Sequence, residues 1–343
     1  MTQFQTALDG YSLVTAQSIS EHTRSKVNNF TTEQMKEGEA ELALILSLAQ
    51  QAFEANAPVQ GIMKALVERL QTLKTRSTPL IWDHLASLAQ AHPVSSFLLQ
   101  DPLTRWSFEK PRGYSGDAQL LDFIYEHPAV AAQVTEASPL GTEVYNFTRM
   151  APSAVAVRER RELLAAHVDA VAGEKENAEI LAIAAGHLRE AELSNALKGD
   201  RLKRWVALDQ DPISVGTVTS TYHGSCIEAV NGSVRTILGR AQKLGTFDFI
   251  YAAGLYDYLA ENVAVKLTER CLQMLKPGGK FLLANFAQDI GVEGYMETFM
   301  NWPLIWRTDR EVQSIIDKVR HPIADSVIMR GENRGVIYAI LTV

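Results

Sequence analysis

The stretch that decides the fold is EILAIAAGHLREAELSNALKGDRLKRWVALDQDP, residues 179–212. Two short apolar runs, Ile180 to Ala184 and Trp205 to Leu208, bracket a segment of helical length. The first run opens into Ala185-Gly186-His187 and the second closes on Asp209-Gln210-Asp211-Pro212. A strand, a glycine turn, a helix and a second strand form a β-α-β unit. Downstream, Cys226 to Val230, Phe247 to Tyr251 and Lys280 to Asn285 repeat the pattern, with helix-length segments between most of them and Pro277-Gly278-Gly279 as a turn before the last. This alternation predicts an α/β fold with a mostly parallel sheet covered by helices on both faces. Ser326 to Met329 and Val336 to Val343 flank RGENRG and read as a terminal antiparallel hairpin.

Upstream, Pro152 suits the first turn of a helix. A charged helix from Val155 to Val171 is expected to end near Gly173, a natural residue just past a helix. From Gln34 to Leu99 the apolar residues recur at helical spacing, as in Leu42, Ile45, Leu46, Ala49 and Phe53 and again in Ile62, Leu66, Leu70 and Leu73. Pro58, Pro79, Pro93 and Pro102 are expected to close helices there. The expectation is therefore an N-terminal α-helical lid or substrate domain over residues 1–150 and an α/β domain over 151–343.

With 46% hydrophobic and 21% charged residues, the 343-residue chain has the composition of a globular protein, which excludes disordered and fibrous classes. Its net charge is −7, and residues 1–150 carry 11 basic against 16 acidic side chains, so the basic surface of a nucleic-acid binder is not expected. Cys226 and Cys271 stand 45 residues apart with no CxxC, and the histidines are scattered, so neither a disulfide framework, a structural zinc nor a catalytic metal is expected. The opening MTQFQTALDG lacks the basic and apolar regions of an export signal, and no run approaches ~18 uninterrupted apolar residues. The expected setting is cytoplasmic, without a membrane span, and the oligomeric state is left open.

In open α/β sheets ligands bind outside the carboxyl ends of the strands. At the first strand end, Ala185 and Gly186 let a ligand approach backbone amides, and His187 stands beside that turn. Asp209, 23 residues after Gly186, is placed to accept a ribose diol, with Gln210 next to it. Asp211-Pro212 looks like the start of the following helix. Asn231 offers an amide to a base edge, balanced against an ordinary Asn231-Gly232 turn, and Ser233 can cap the next helix. At the fourth strand end Ala253 and Gly254 leave room for a ligand that Tyr256 could wall.

These strand ends, the LKPGGKFLL segment at 275–283 and the closing hairpin resemble a class I S-adenosylmethionine-dependent methyltransferase domain, with its Rossmann-like sheet, over residues 152–343. A dehydrogenase would share the ribose acid but would normally show a three-glycine pyrophosphate turn, where this chain has one glycine. PRGYSGD, AVRERREL, AAGHLRE, LDQDP, NGSVR, FDFIYAAGLYDYL and GYMETFMNWPLIWRT extend the likeness to a bacterial methyltransferase-like family associated with 3-hydroxypalmitate methyl ester biosynthesis. That group is similar in turn to enzymes that cyclise S-adenosylmethionine to azetidine-2-carboxylate. The resemblance implies S-adenosylmethionine as methyl donor or as substrate, and a small-molecule partner.

PRGYSGD is then expected to close over the methionyl arm, Arg112 gripping its carboxylate and Asp117 its ammonium, with Tyr114 beside the reacting centre; a plain surface turn is the alternative. Tyr295, Trp302 and Trp306 are candidates for the acceptor wall, the two tryptophans sharing one helical face, or simply for core packing. Arg158, Arg160 and Arg161 read as a solvated helix face, Cys226 as core, and Thr308 with Glu311 as a capping box. Candidate acid-base groups are Tyr114, Asp117, Tyr256 and His187. Methyl transfer to a carboxylate, hydroxyl or amine is the leading expectation. Cyclisation of S-adenosylmethionine with release of methylthioadenosine is the second, and a non-catalytic S-adenosylmethionine-binding protein the third.

Overall fold

The computed structural model describes residues 32–239 and 243–343, so the amino-terminal decapeptide read above lies outside it. The described chain divides into two compact units, one of residues 32–155 with Asp289–Leu304, the other of 156–288 with Ile305–Val343. The boundary therefore falls at Val155, and a sixteen-residue excursion from the α/β sequence clusters with the helical unit.

The helical unit opens with α1 (Thr32–Glu54), α2 (Val59–Arg76) and α3 (Pro79–Ala91) and continues through α4 (Pro102–Glu109), α5 (Ala118–Ile124) and α6 (Pro139–Thr148). The apolar positions picked out by helical spacing, from Leu42 to Leu73, are all buried. The helices end shortly before Pro58, Pro79, Pro93 and Pro102, as expected, and several prolines also start the helix that follows. Pro79, Pro102 and Pro139 occupy the first turns of α3, α4 and α6, behind Thr78, Asp101 and Ser138, whose side chains accept backbone N–H bonds. A proline there costs no hydrogen bond, because that N–H has no partner within the helix.

The excursion is pinned into this unit by its short helix Glu293–Thr298. Glu297 accepts bonds from Lys74 Nζ (2.5 Å) and Trp82 Nε1 (2.7 Å), and Gly294 N–H donates to Gln71 Oε1 (3.0 Å). A Cβ on Gly294 would lie 2.8 Å from the Leu70 carbonyl carbon. Gly294→Ala should therefore destabilise the protein by about 1–3 kcal/mol through backbone displacement, read as a lower midpoint in urea unfolding; an unchanged midpoint would mean that α2 can yield at no cost.

In the second unit α7 (Pro152–Glu174), which begins in the first, leads into seven strands: β1 (Ala178–Ile183), β2 (Leu202–Asp209), β3 (Ile227–Asn231), β4 (Phe247–Ala252), β5 (Leu275–Phe286), β6 (Asp325–Arg330) and β7 (Val336–Thr342). α7 ends at Glu174, one residue past Gly173, so it stops where expected, with Gly173 inside its last turn. The strand order is β3-β2-β1-β4-β5-β7-β6, with β1 to β5 parallel and the hairpin β6-β7 antiparallel. This is the expected α/β, Rossmann-like sheet with its closing antiparallel hairpin. Helices α8 (Pro212–Thr221), α9 (Glu261–Leu272) and α10 (Asp309–Asp317) follow β2, β4 and the excursion. Asp211 caps α8 and the Thr308–Glu311 capping box starts α10, both as expected.

Pro277-Gly278-Gly279 is not a turn before β5 but a bulge inside it. Phe247 and Phe249 of β4 face Leu275 and Lys280, and Gly278 takes φ +74° while its N–H donates to Val343 O (2.8 Å). A positive φ is what glycine supplies at such bulges. At the amino ends of the strands Glu179 gathers Lys203 (2.8 Å), Arg204 (2.6 Å) and Lys276 (3.3 Å). Those cations hold its carboxyl down at about 2, against the opposing effect of burial. Cys226 sits half-buried just ahead of β3, not inside the core.

Candidate functional site

The strand order reverses between β1 and β4, and at such a point the loops leaving the two strands part and open a crevice. Ala182 pairs with Tyr251, so two residues further along lie Ala184 on one side and Ala253 on the other. The β1 loop has unusual backbone: Ala184, Gly186 and Leu188 take φ values of +54°, +56° and +53°. Every second residue is thus left-handed, although one of the three is glycine. For alanine and leucine this conformation costs about 1–2 kcal/mol each, and such strain persists where the surroundings impose it, commonly at ligand sites. Ala184 is exposed, so Ala184→Gly should raise stability by about 0.5–1 kcal/mol; a lower melting temperature in a thermal scan would show that the turn is not strained.

Asp209, at the end of β2 and 7% exposed, organises this loop. Its Oδ2 accepts the Gly186 N–H (2.7 Å) and its Oδ1 the Asp211 N–H (2.8 Å). Burial raises its pKa, while those two amides and the nearby His187 act in the opposite sense. A carboxylate has about four acceptor positions, so one remains on each oxygen. Across the β2–β3 register Asp209 faces Asn231, and Gly232 N–H donates to the Asp209 carbonyl (2.9 Å). The Asn231 side chain is exposed, its Nδ2 lying 3.5 Å from Gln210 O. Ser233 caps the short helix Val234–Leu238. Ala185, whose N–H donates to Leu208 O of β2 (3.1 Å), Gly186, Asp209, Gln210, Asn231, Gly232 and, on the β4 side of β1, Ala253 and Gly254 are thereby gathered at the strand ends. His187 is buried behind the turn.

Arg160 was legible only as part of a charged helix, and the structure corrects this. It is 4% exposed. A Cβ on Gly254 would lie 3.7 Å from its Nη2, and its guanidinium stands 5.9 Å from the Phe286 ring. Its charge also acts on Glu190, in the loop after β1, and on Asp257, after β4, lowering the pKa of each against a larger rise from burial. Glu159, half-buried next to it, is tied to the hairpin turn, accepting from Glu332 N–H and Asn333 Nδ2. Periodicity missed these roles because charge on a helix is indistinguishable, in sequence, from charge facing water.

Two candidate acid-base groups are turned inward. Tyr256 is fully buried in the core of the α/β unit, its hydroxyl 2.7 Å from Thr268 Oγ1. Arg307 clamps that segment through Tyr256 O (2.6 Å), Leu259 O and Asn285 Oδ1. Asp117, 2% exposed, caps α5 through Gln119 N–H (2.8 Å) and Leu120 N–H (3.0 Å) and accepts Trp106 Nε1–H (2.9 Å). Arg112 is buried with its Nε 3.9 Å from Asp117, so the charge pair of PRGYSGD is not solvated, while Pro111 and Gly113 are exposed and Tyr114 is half-buried. Tyr295 and Trp302 are buried in the helical unit, whereas Trp306 packs 5.6 Å from Phe286 in the other. No helix joins the two tryptophans, because the short helix ends at Thr298 and an irregular segment follows. Among the described residues, no group of three or more His, Cys, Asp or Glu is placed to hold a metal ion, and no helix is long and apolar enough to cross a membrane.

No family model and no curated protein matches the chain. Among solved structures it is similar to a protein of Bordetella parapertussis described as a possible exported protein, at 14% identity and a TM-score of 0.53, over 92% of this chain and 99% of that one. This likeness bears on the fold. Partial matches include the N-methyltransferase NodS of Bradyrhizobium japonicum WM9 in complex with S-adenosyl-L-homocysteine (17% identity, TM-score 0.39, 54% of this chain and 86% of that one). Another is magnesium protoporphyrin IX methyltransferase of Synechocystis PCC 6803 with bound S-adenosylmethionine (10% identity, TM-score 0.38, 55% and 82%).

Proposed function

We propose that the α/β unit binds S-adenosylmethionine at the carboxyl ends of β1 to β4 and that the protein transfers its methyl group to a small-molecule acceptor. The observation that carries this reading is Asp209: each of its oxygens holds one backbone amide and keeps one acceptor position, the number a ribose diol needs. Asn231, opposite it, suits an adenine edge. The small residues Ala184, Ala185, Gly186, Ala253 and Gly254 leave space where a bulkier side chain would fill the crevice. Arg160 supplies a buried cation for a carboxylate such as that of the methionyl arm.

When bound, the sulfonium is itself the electrophile: the acceptor's electron pair forms the new bond to the methyl carbon and the old carbon–sulfur bond leaves with its pair on sulfur. The chain's residues therefore have to orient the donor and exclude water. A carboxylate acceptor needs no base, and with Tyr256 and Asp117 turned inward neither is a free base for a hydroxyl or amine.

The test is incubation of the purified protein with S-adenosylmethionine, with and without candidate acceptors, and product identification by mass spectrometry. S-adenosylhomocysteine formed only with an acceptor is the expected result. Methylthioadenosine with azetidine-2-carboxylate, in the absence of acceptor, would replace transfer by cyclisation. Saturable binding without any product across acceptors would make the protein a non-catalytic binder.

A further inference from the structure

The helical unit holds a partly open cavity of about 390 Å³ lined by its own residues. Its wall includes Val67 of α2, Leu103 of α4, Ile124 of α5 and, from the excursion, Met296, Met300 and Trp302. The volume lies at the small end of the range for ligand pockets, which are mostly apolar with a few placed polar groups. Methionines let such a wall adapt to its occupant. Charge is confined to Lys64 and Glu68, whose side chains are 72% and 65% exposed and stand 4.0 Å apart.

Two further wall residues, Tyr295 and Thr148, belong to a buried hydrogen-bond chain. Asp101, fully buried, accepts bonds from Leu103 N–H (2.9 Å), Thr104 N–H (3.1 Å), Thr104 Oγ1 (2.6 Å) and Thr148 Oγ1 (2.9 Å). With four donors its carboxylate is satisfied. Thr104 has one hydroxyl proton, committed to Asp101, so it accepts the proton of Tyr295, whose oxygen lies 3.1 Å away. The direction of the chain is fixed: Tyr295 donates inward, and its oxygen keeps acceptor capacity alone. A ligand group meeting that oxygen has to be a donor. A carboxylate, which only accepts, would meet it lone pair to lone pair.

We propose that this cavity is a binding site for a small, uncharged alcohol with an apolar body, its hydroxyl donating to Tyr295. The site stands within one unit and does not depend on where the cofactor binds.

The probe is 1-aminoanthracene, whose fluorescence rises in apolar cavities, displaced from the full-length protein by 1-octanol or by octanoate at pH 7.5. Saturable displacement by 1-octanol is expected, with octanoate weaker by about tenfold or more. Ala154→Leu, which fills the cavity from the start of α7, should lower the affinity for both probe and octanol by about tenfold. Ala151→Phe, at a half-buried wall position that accommodates change more easily, should do the same, with melting temperature recorded for each variant. Tyr295→Phe should weaken 1-octanol severalfold while octanoate stays weak, because its charge is still desolvated. The proposal is overturned if octanol does not displace the probe, if octanoate competes equally well, or if both filled variants remain folded and bind as the parent does.

Discussion

Replacing Asp209 by alanine should weaken S-adenosylmethionine binding by about 1.5–3 kcal/mol, the range for hydrogen bonds to a charged group. Each oxygen of that carboxylate already anchors one amide, Gly186 N–H at 2.7 Å or Asp211 N–H at 2.8 Å. The substitution thus removes the diol acceptor and also releases the turn that carries Gly186. The two losses are separable. Asp209→Asn keeps one acceptor oxygen, so it should hold part of the turn while losing most of the affinity. Isothermal titration with S-adenosylhomocysteine measures the effect, and an unchanged dissociation constant in Asp209→Ala would remove this residue from the site.

Arg160→Ala should cost about 3 kcal/mol of stability at neutral pH, because it removes a buried cation that acts on two buried acids, Glu190 and Asp257. Asp257 shows why the loss depends on pH. Burial pushes its pKa to about 6, against the lowering effects of Arg160, the Phe286 N–H and Arg307. A carboxyl whose folded pKa lies above its unfolded value binds protons more readily in the folded state. Its contribution is therefore greatest below about pH 4 and is lost as the pH rises through 6. Without Arg160 that pKa climbs further, so the stability gap between variant and parent should be widest at pH 7.5 and should narrow toward pH 5. Urea titrations at the two pH values test this; a gap that widens on acidification would mean that Asp257 does not sense Arg160. The same variant separates structure from binding. If Arg160 faces the methionyl carboxylate, S-adenosylhomocysteine should lose affinity at pH 5 to 6 while methylthioadenosine, which lacks that group, binds as before.

The strands, the hairpin and the caps could be read from residues that are neighbours in the chain. Ile180 to Ala184 was extended and apolar in the sequence and is β1 from Ala178 to Ile183 in the fold, because local periodicity reports how a segment will be buried. Asp211, Ser233 and Thr308 cap helices that begin within three residues of them, an interaction completed before any tertiary contact is made. Asp209 belongs with these, since its distance from the glycine turn is a property of one β-α-β unit.

What the sequence could not show is what distant segments do to one another. Arg160 is one arginine among three, and its burial follows from the convergence of the loops after β1 and β4 with the end of β5. Tyr256 and Asp117 have the chemistry of acid-base groups but were drawn into Thr268 and the head of α5. Ala184 and Leu188 hold a left-handed backbone that neither residue favours, so the fold of the loop imposes it, not their own preference. The excursion from Asp289 to Leu304 interrupts an α/β sequence and yet clusters with helices more than two hundred residues earlier, through Gly294 at Leu70 and Glu297 at Trp82. Periodicity and turn chemistry act over a few residues and so are written in order along the chain, whereas burial of a charge, strain and side-chain direction are decided by whichever surfaces the fold presses together.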